Sequence, residues 1–98
     1  MKIPVYKDPD FIIEVEFNRR NMLFVHNSVS RYSPKIKVRI QQAFDSVKKS
    51  LARAGVRKLF TLVKGEKTIK YNLLFGFQKT GIIDKVSGAE LLMMKLEN

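Results

Sequence analysis

The chain has 98 residues, room for one domain that buries about 60 to 65% of its unfolded surface. Cysteine is absent and His26 is the single histidine, which excludes disulfides and thiolate chemistry and leaves too few ligands for a histidine-built zinc site. Nineteen Lys and Arg against nine Asp and Glu give a net charge of +10, which draws nucleic acid, anionic protein and phosphorylated cofactors alike.

Residues 1–10, MKIPVYKDPD, read as an extended segment with no apolar h-region or cleavage site, so no export signal is expected. No stretch approaches the roughly 20 apolar residues of a bilayer span. FIIEVEF (11–17) alternates Ile13, Val15 and Phe17 with Ile12, Glu14 and Glu16, the period of a strand with one wetter face. NRRN (18–21) reads as a tight turn and MLFVHNSV (22–29) as the partner strand of a hairpin. Ser33 before Pro34 marks a helix start, since the hydroxyl caps free N–H groups and proline gives up a donor that had no partner. Ile36, Ile40, Phe44, Val47, Leu51 and Ala54 then form one apolar helical stripe, and Gly55 supplies the stop.

RKLFTLV (57–63) follows as a strand, giving a strand-helix-strand unit whose strands are expected to lie parallel. KGEKTIKYNLLFGF (64–77) reads as a shorter helix with Ile69, Leu73 and Leu74 on one side and Gly76 as its stop. FQKTGIID and AELLMMKL, joined by the turn KVSG, make a last pair of strands. The order is strand, strand, helix, strand, helix, strand, strand, an α/β or α+β mixture around one mixed sheet in a single domain.

Lys35, Lys37, Arg39, Lys48, Lys49 and Arg53, joined by Lys64, Lys67 and Lys70, give a basic side opposite the apolar stripe. Such a side suits a phosphate backbone, and it also suits plain solvation. Only Tyr32 and Tyr71 lie near that charge, so any nucleic-acid contact is expected to tolerate sequence and to weaken with salt.

The tail of the chain carries the most specific pattern. Gly76 and Phe77 close the short helix, Thr80 and Gly81 follow in a polar turn, and GAELLMMKL gives a last strand rich in Leu and Met. With GVRKLFTLV after the long helix, this order resembles the C-terminal three-quarters of the GNAT N-acetyltransferase fold, over roughly residues 11 to 96. The brevity, the basic helix and the R-x-x-P-x-I start resemble the small acetyltransferase-like proteins of tailed bacteriophages, some of which are linked to virion assembly. The resemblance implies a reduced mixed sheet without the usual N-terminal strand and paired helices. It also implies an exposed edge, at FIIEVEF or the C-terminal hairpin, that invites a protein partner or a second copy.

In that family the turn before the long helix holds the acetyl-CoA pyrophosphate on helix amides. The resemblance carries this role to Arg31, Tyr32, Ser33, Lys35, Ile36 and Lys37, and gives strand 22–29, with Val29 at its end, the pairing with the pantetheine arm. Arg31 fits the pattern; Pro34 has no N–H to give, and Ile36 puts a branched side chain where the family has Gly or Ala. The implied cofactor is therefore none, or weakly bound acetyl-CoA. His26 or Glu14 takes the place of a base, with Glu14 or Glu16 able to orient His26, and Tyr71 that of an acid. The family's Tyr position falls on Asn72 and its Asn position near Gly65. Tyr71, about 100° away around a helix, is expected to point to another side.

The leading expectation is a GNAT-like phage-type protein, degenerate for acetyl transfer, that acts by binding in particle assembly or on a host component. It would be cytoplasmic in the infected cell or virion-associated. The alternatives are an acetyl-CoA-dependent N-acetyltransferase and a small basic nucleic-acid-binding protein; none of these readings calls for a membrane or a metal.

Overall fold

A computed structural model describes residues 1–97. Its first strand, β1 (Ile3–Lys7), lies inside the segment expected only to be extended. It pairs antiparallel with β2 (Phe11–Phe17), with a register shift between Pro4 and Tyr6. Proline is tolerated there because β1 is the outermost strand, where a missing N–H breaks no ladder. The structure thus adds one strand ahead of the expected order, and β2 is paired on both sides rather than exposed.

The turn into β3 (Leu23–Val29) is built by Asn18, whose side-chain oxygen accepts from the amides of Arg20 and Met22 at 2.9 Å each. Helix α1 (Pro34–Arg53) begins as its sequence indicates: Ser33 Oγ accepts from the Ile36 amide at 3.2 Å, and Pro34 opens the first turn. It ends on Gly55 at φ 95°, where Val56 N–H donates to Leu51 C=O and Gly55 N–H to Ala52 C=O. The chain continues as β4 (Lys58–Val63), α2 (Glu66–Leu74), β5 (Gln78–Ile83) and β6 (Glu90–Lys95). The resulting α+β architecture is a six-stranded mixed sheet in the order β1-β2-β3-β4-β6-β5, with β3 and β4 parallel. Its edges are β1 and β5.

One face of the sheet carries the core. Phe11, Ile13 and Val15 of β2, Leu23 and Val25 of β3, Leu59 and Val63 of β4 and Leu92 and Met94 of β6 meet Ile36, Ile40, Phe44 and Val47 of α1. Leu51 joins from the margin. Ala54, expected on the stripe, is exposed because it is the C-cap, already outside the helical repeat; Ala52 is buried instead. The inner side of α2 also differs from the expected one. Ile69 and Phe75 pack on the core, whereas Leu73 and Leu74 face outward, Leu74 being 81% exposed. Helix α2 ends on Gly76 at φ 105°, with Phe77 N–H donating to Asn72 C=O.

Phe44 joins the layers, its ring edge-on to Phe75 at 5.5 Å and stacked on Phe77 at 6.0 Å. Arg39 ties α1 to the β1–β2 turn by bonding the carboxylates of both Asp8 and Asp10. The Asp10 amide, and then the Arg39 guanidinium, hold the Asp8 carboxyl below its usual range.

Two outcomes follow. Phe44→Ala is expected to lower the unfolding free energy by about 3–5 kcal/mol, read from urea denaturation; a loss under about 1 kcal/mol would show that the ring cluster does not hold α2 in place. Because the folded-state pKa of Asp8 is depressed, its stabilising contribution is present above the unfolded value of about 3.9 and is lost as pH falls through the folded value. Arg39→Ala should therefore shift the acid unfolding midpoint to higher pH, and an unchanged midpoint would remove the role given to this pair.

Candidate functional site

Strands β3 and β4 are joined at a single register pair, Phe24 with Phe60, although each runs on toward its C-terminal end. Beyond that pair they part. A slot of about 320 Å³ opens between Val25 to Ser28 on one side and Thr61 to Val63 on the other, closed below by Ile40 and Phe44 of α1 and beside it by α2. The C-terminal ends of parallel strands, next to a helix N-terminus, are where open α/β sheets place ligands. At this volume the slot sits at the lower end of small-molecule pockets, which run from about 300 to 1,000 Å³.

Two polar residues mark it in the chain. Asn27 lies between Val25 and Val29, and Thr61 between Leu59 and Val63, each at a position whose strand neighbours face the core. A polar residue on the inward side of both adjoining strands is a signal that the sequence reading passed over. Asn27 remains exposed because the sheet is parted there, while Thr61 is 8% exposed.

Tyr71 enters the slot, contrary to the side expected from helical spacing. Thr68, Tyr71, Asn72 and Phe75 all line it, so the inner side of α2 runs through Tyr71 and Asn72 together. The phenol ring is edge-on to Phe75 at 4.8 Å and to Tyr32 at 6.3 Å, and Lys37 Nζ stands 5.7 Å from its centre. Its hydroxyl is buried and bonded to no other described group. Such a group costs about 1–3 kcal/mol when left unpaired, which makes it a natural donor or acceptor for a ligand. Burial, and secondarily Tyr32, push the phenol above its ordinary value, so it is neutral and protonated at pH 7.

His26 lines the slot from β3, and its Nε2 lies 3.0 Å from Glu16 Oε1. Glu14 is directly opposite His26 in register, yet the carboxylate that meets the ring is that of Glu16. A neutral imidazole donating from Nε2 to Glu16 keeps Nδ1 as an acceptor, the arrangement of an oriented base.

The first turn of α1 uses most of its own amides. Pro34 has no N–H, the Ile36 amide donates to Ser33 Oγ, and the Lys37 amide donates to Ser33 C=O at 3.0 Å. Lys35 keeps the one first-turn amide without a bond within the described residues. The Ile36 side chain is 8% exposed and sits in the core, so it does not obstruct an anion as its branching suggests. Val29 packs at the margin of the core, Arg31 and Lys35 are exposed, and of this group only Tyr32 lines the slot.

The basic residues do not form one uninterrupted side. Arg39 is engaged by Asp8 and Asp10, and Lys48 pairs with Asp45 at 3.3 Å beside the Phe44 ring. Lys35, Lys37, Lys49, Arg53, Lys64, Lys67 and Lys70 are exposed. Among the described residues there is no group of His, Cys, Asp and Glu that could hold a metal ion, and no helix is long and apolar enough to cross a membrane. No family model, curated protein or solved structure matches the chain.

Tyr71 should ionise above the ordinary value of about 10 in an alkaline titration followed by tyrosinate absorbance. Tyr71→Phe should remove a component that titrates above that value; loss of a component at or below it would place the hydroxyl in solvent.

Proposed function

We propose that this chain is a reduced GNAT-like domain, of the kind tailed bacteriophages encode, that acts by binding in particle assembly or on a host component and not by acetyl transfer. The carrying observation is the first turn of α1, where proline and the Ser33 cap leave a single amide for an anion. A helix N-terminus attracts phosphate through its free N–H groups and its dipole. With all but the Lys35 amide consumed or absent, the anion site is reduced to that amide, the dipole and the charges of Arg31 and Lys35, and exposed charges bind weakly. The slot supports the same ancestry while giving a pyrophosphate little to hold.

A second reading, an acetyl-CoA-dependent N-acetyltransferase, is favoured by one specific observation: His26, oriented by Glu16, and the unpaired Tyr71 hydroxyl line one slot. A base and a neutral acid on a common cavity are what amine acylation from a thioester asks for, the base taking the amine proton and the acid protonating the departing thiolate.

Calorimetric titration of acetyl-CoA separates the two. The binding reading expects no measurable heat from the parent and a gain in Ser33→Gly/Pro34→Gly, which frees the Ile36 amide and adds another. Micromolar binding by the parent that weakens at least tenfold in Arg31→Ala would overturn it. In that case thiol release in the presence of an amine, lost in Tyr71→Phe, would establish the transferase.

A further inference from the structure

Both helices pack on one face of the sheet, and where β3 parts from β4 main-chain groups as well as side chains open into the slot. Which groups these are follows from the ladders on either side. Ser30 N–H donates to Asp10 C=O, so in the β2–β3 register the even residues of β3 bond to β2, and Val25, Asn27 and Val29 turn their N–H and C=O toward β4. On the other strand Leu96 N–H donates to Arg57 C=O, so Thr61 and Val63 bond to β6 and Leu62 turns toward β3. Beyond Phe24 and Phe60 these groups face one another across the slot and are not joined in a ladder.

Such edges offer donors and acceptors together, at a repeat of two residues or about 7 Å. An extended polypeptide supplies both kinds of group at the same repeat, and strand addition to an open edge is a general mode of peptide recognition. The phosphodiester backbone of a nucleic acid has no N–H to give the carbonyls of Asn27 and Leu62, which then stay unpaired at a cost.

The side chains narrow the choice. A segment lying here alternates between the helix-free side, where it passes His26 and Leu62, and the helix side, where the Tyr71 hydroxyl is buried without a partner among the described residues. A hydroxyl donates most strongly to a carboxylate. No Asp or Glu lines the slot, and Glu16 meets it only through His26, which it already holds. Lys37 Nζ stands 5.7 Å from the Tyr71 ring. Arg31, Lys64 and Lys67, each next in sequence to a lining residue, are exposed and in no ion pair among the described residues; against them stands Glu66 at the start of α2.

We infer that the slot is the docking site for an extended acidic segment of a partner protein, which pairs with the open edge of β3 and sets an Asp or Glu side chain on the Tyr71 hydroxyl. The edge is that of β3 because its open run, Val25 to Val29, is longer than the Thr61 to Val63 run of β4. The inference rests on the reading of the chain as a binding protein, and gives that reading a place and a ligand chemistry.

Selection of displayed random decapeptides against the whole chain, followed by calorimetry on a synthetic copy of the selected sequence, tests it. The selected peptides should share an Asp or Glu. Alanine at that residue, or Tyr71→Phe in the protein, should weaken binding at least about tenfold. N-methylation of the peptide at alternate residues should do the same, because it removes the N–H groups that pair with β3. Hydrogen exchange should show the Asn27 amide newly protected in the complex. No selected binder, a consensus without acidic residues, binding indifferent to N-methylation, or protection confined to the outer strands β1 and β5 overturns the inference. Displacement of the peptide by an equal concentration of a thymidine oligonucleotide overturns it too and assigns the slot to nucleic acid. If neither peptide nor acetyl-CoA binds, the binding reading survives without this site; acetyl-CoA binding that depends on Arg31 removes that reading as well.

Discussion

The sheet is joined across its middle by a single ladder pair between β3 and β4, and the rest of the structure is arranged around that limit. On either side, antiparallel ladders run the full length of β2–β3 and β4–β6. The parallel junction has only Phe24 and Phe60, whose rings meet at 5.8 Å on the helix-free face. Past them the two halves part. The space is lined by side chains of α1 and α2, which is why Phe44 and Phe75 belong at once to the core and to the slot, with Tyr71 edge-on to Phe75 inside it. Backbone groups on the parted side of each strand lose their ladder partners there, and an unpaired strand edge is a template for anything extended.

The neighbouring helix start shows a choice between stability and ligand affinity. A serine cap is worth about 1 kcal/mol, and proline at the first helical position fixes the chain in a helical conformation in advance. Both devices satisfy or delete the same N–H groups that an anion would use. Helix α1 spans 20 residues and carries much of the core, so securing its start serves the fold. A turn of this composition is a good helix start and a poor phosphate cradle for one physical reason.

Helix α1 is legible in the sequence because its apolar repeat is long and both ends carry their chemistry, Ser33-Pro34 at the start and Gly55 at the stop. β1 is less so, because Pro4 breaks the alternation, and its strand character depends on pairing with β2. The inner side of α2 is ambiguous for a different reason. From Tyr71 to Phe75 five consecutive residues include four apolar or aromatic ones, so periodicity selects no face. Packing of Phe75 against Phe44 decides it and carries Tyr71 inward. The slot itself is written only faintly, in Asn27 and Thr61 at inward positions. Which carboxylate meets His26 is not written at all, since Glu14 and Glu16 share one face of β2 and only side-chain geometry distinguishes them.

Amide hydrogen exchange, followed residue by residue in β4, tests the parted junction most directly. Amides turned toward β6 should be protected along the whole strand. Those turned toward β3 should be protected near Phe60 and exchange rapidly from Thr61 to Val63, where the ladder has no partner. Uniform protection on both sides of β4 would mean that the parallel ladder continues, that the slot is closed, and that the account of a site between these strands is wrong.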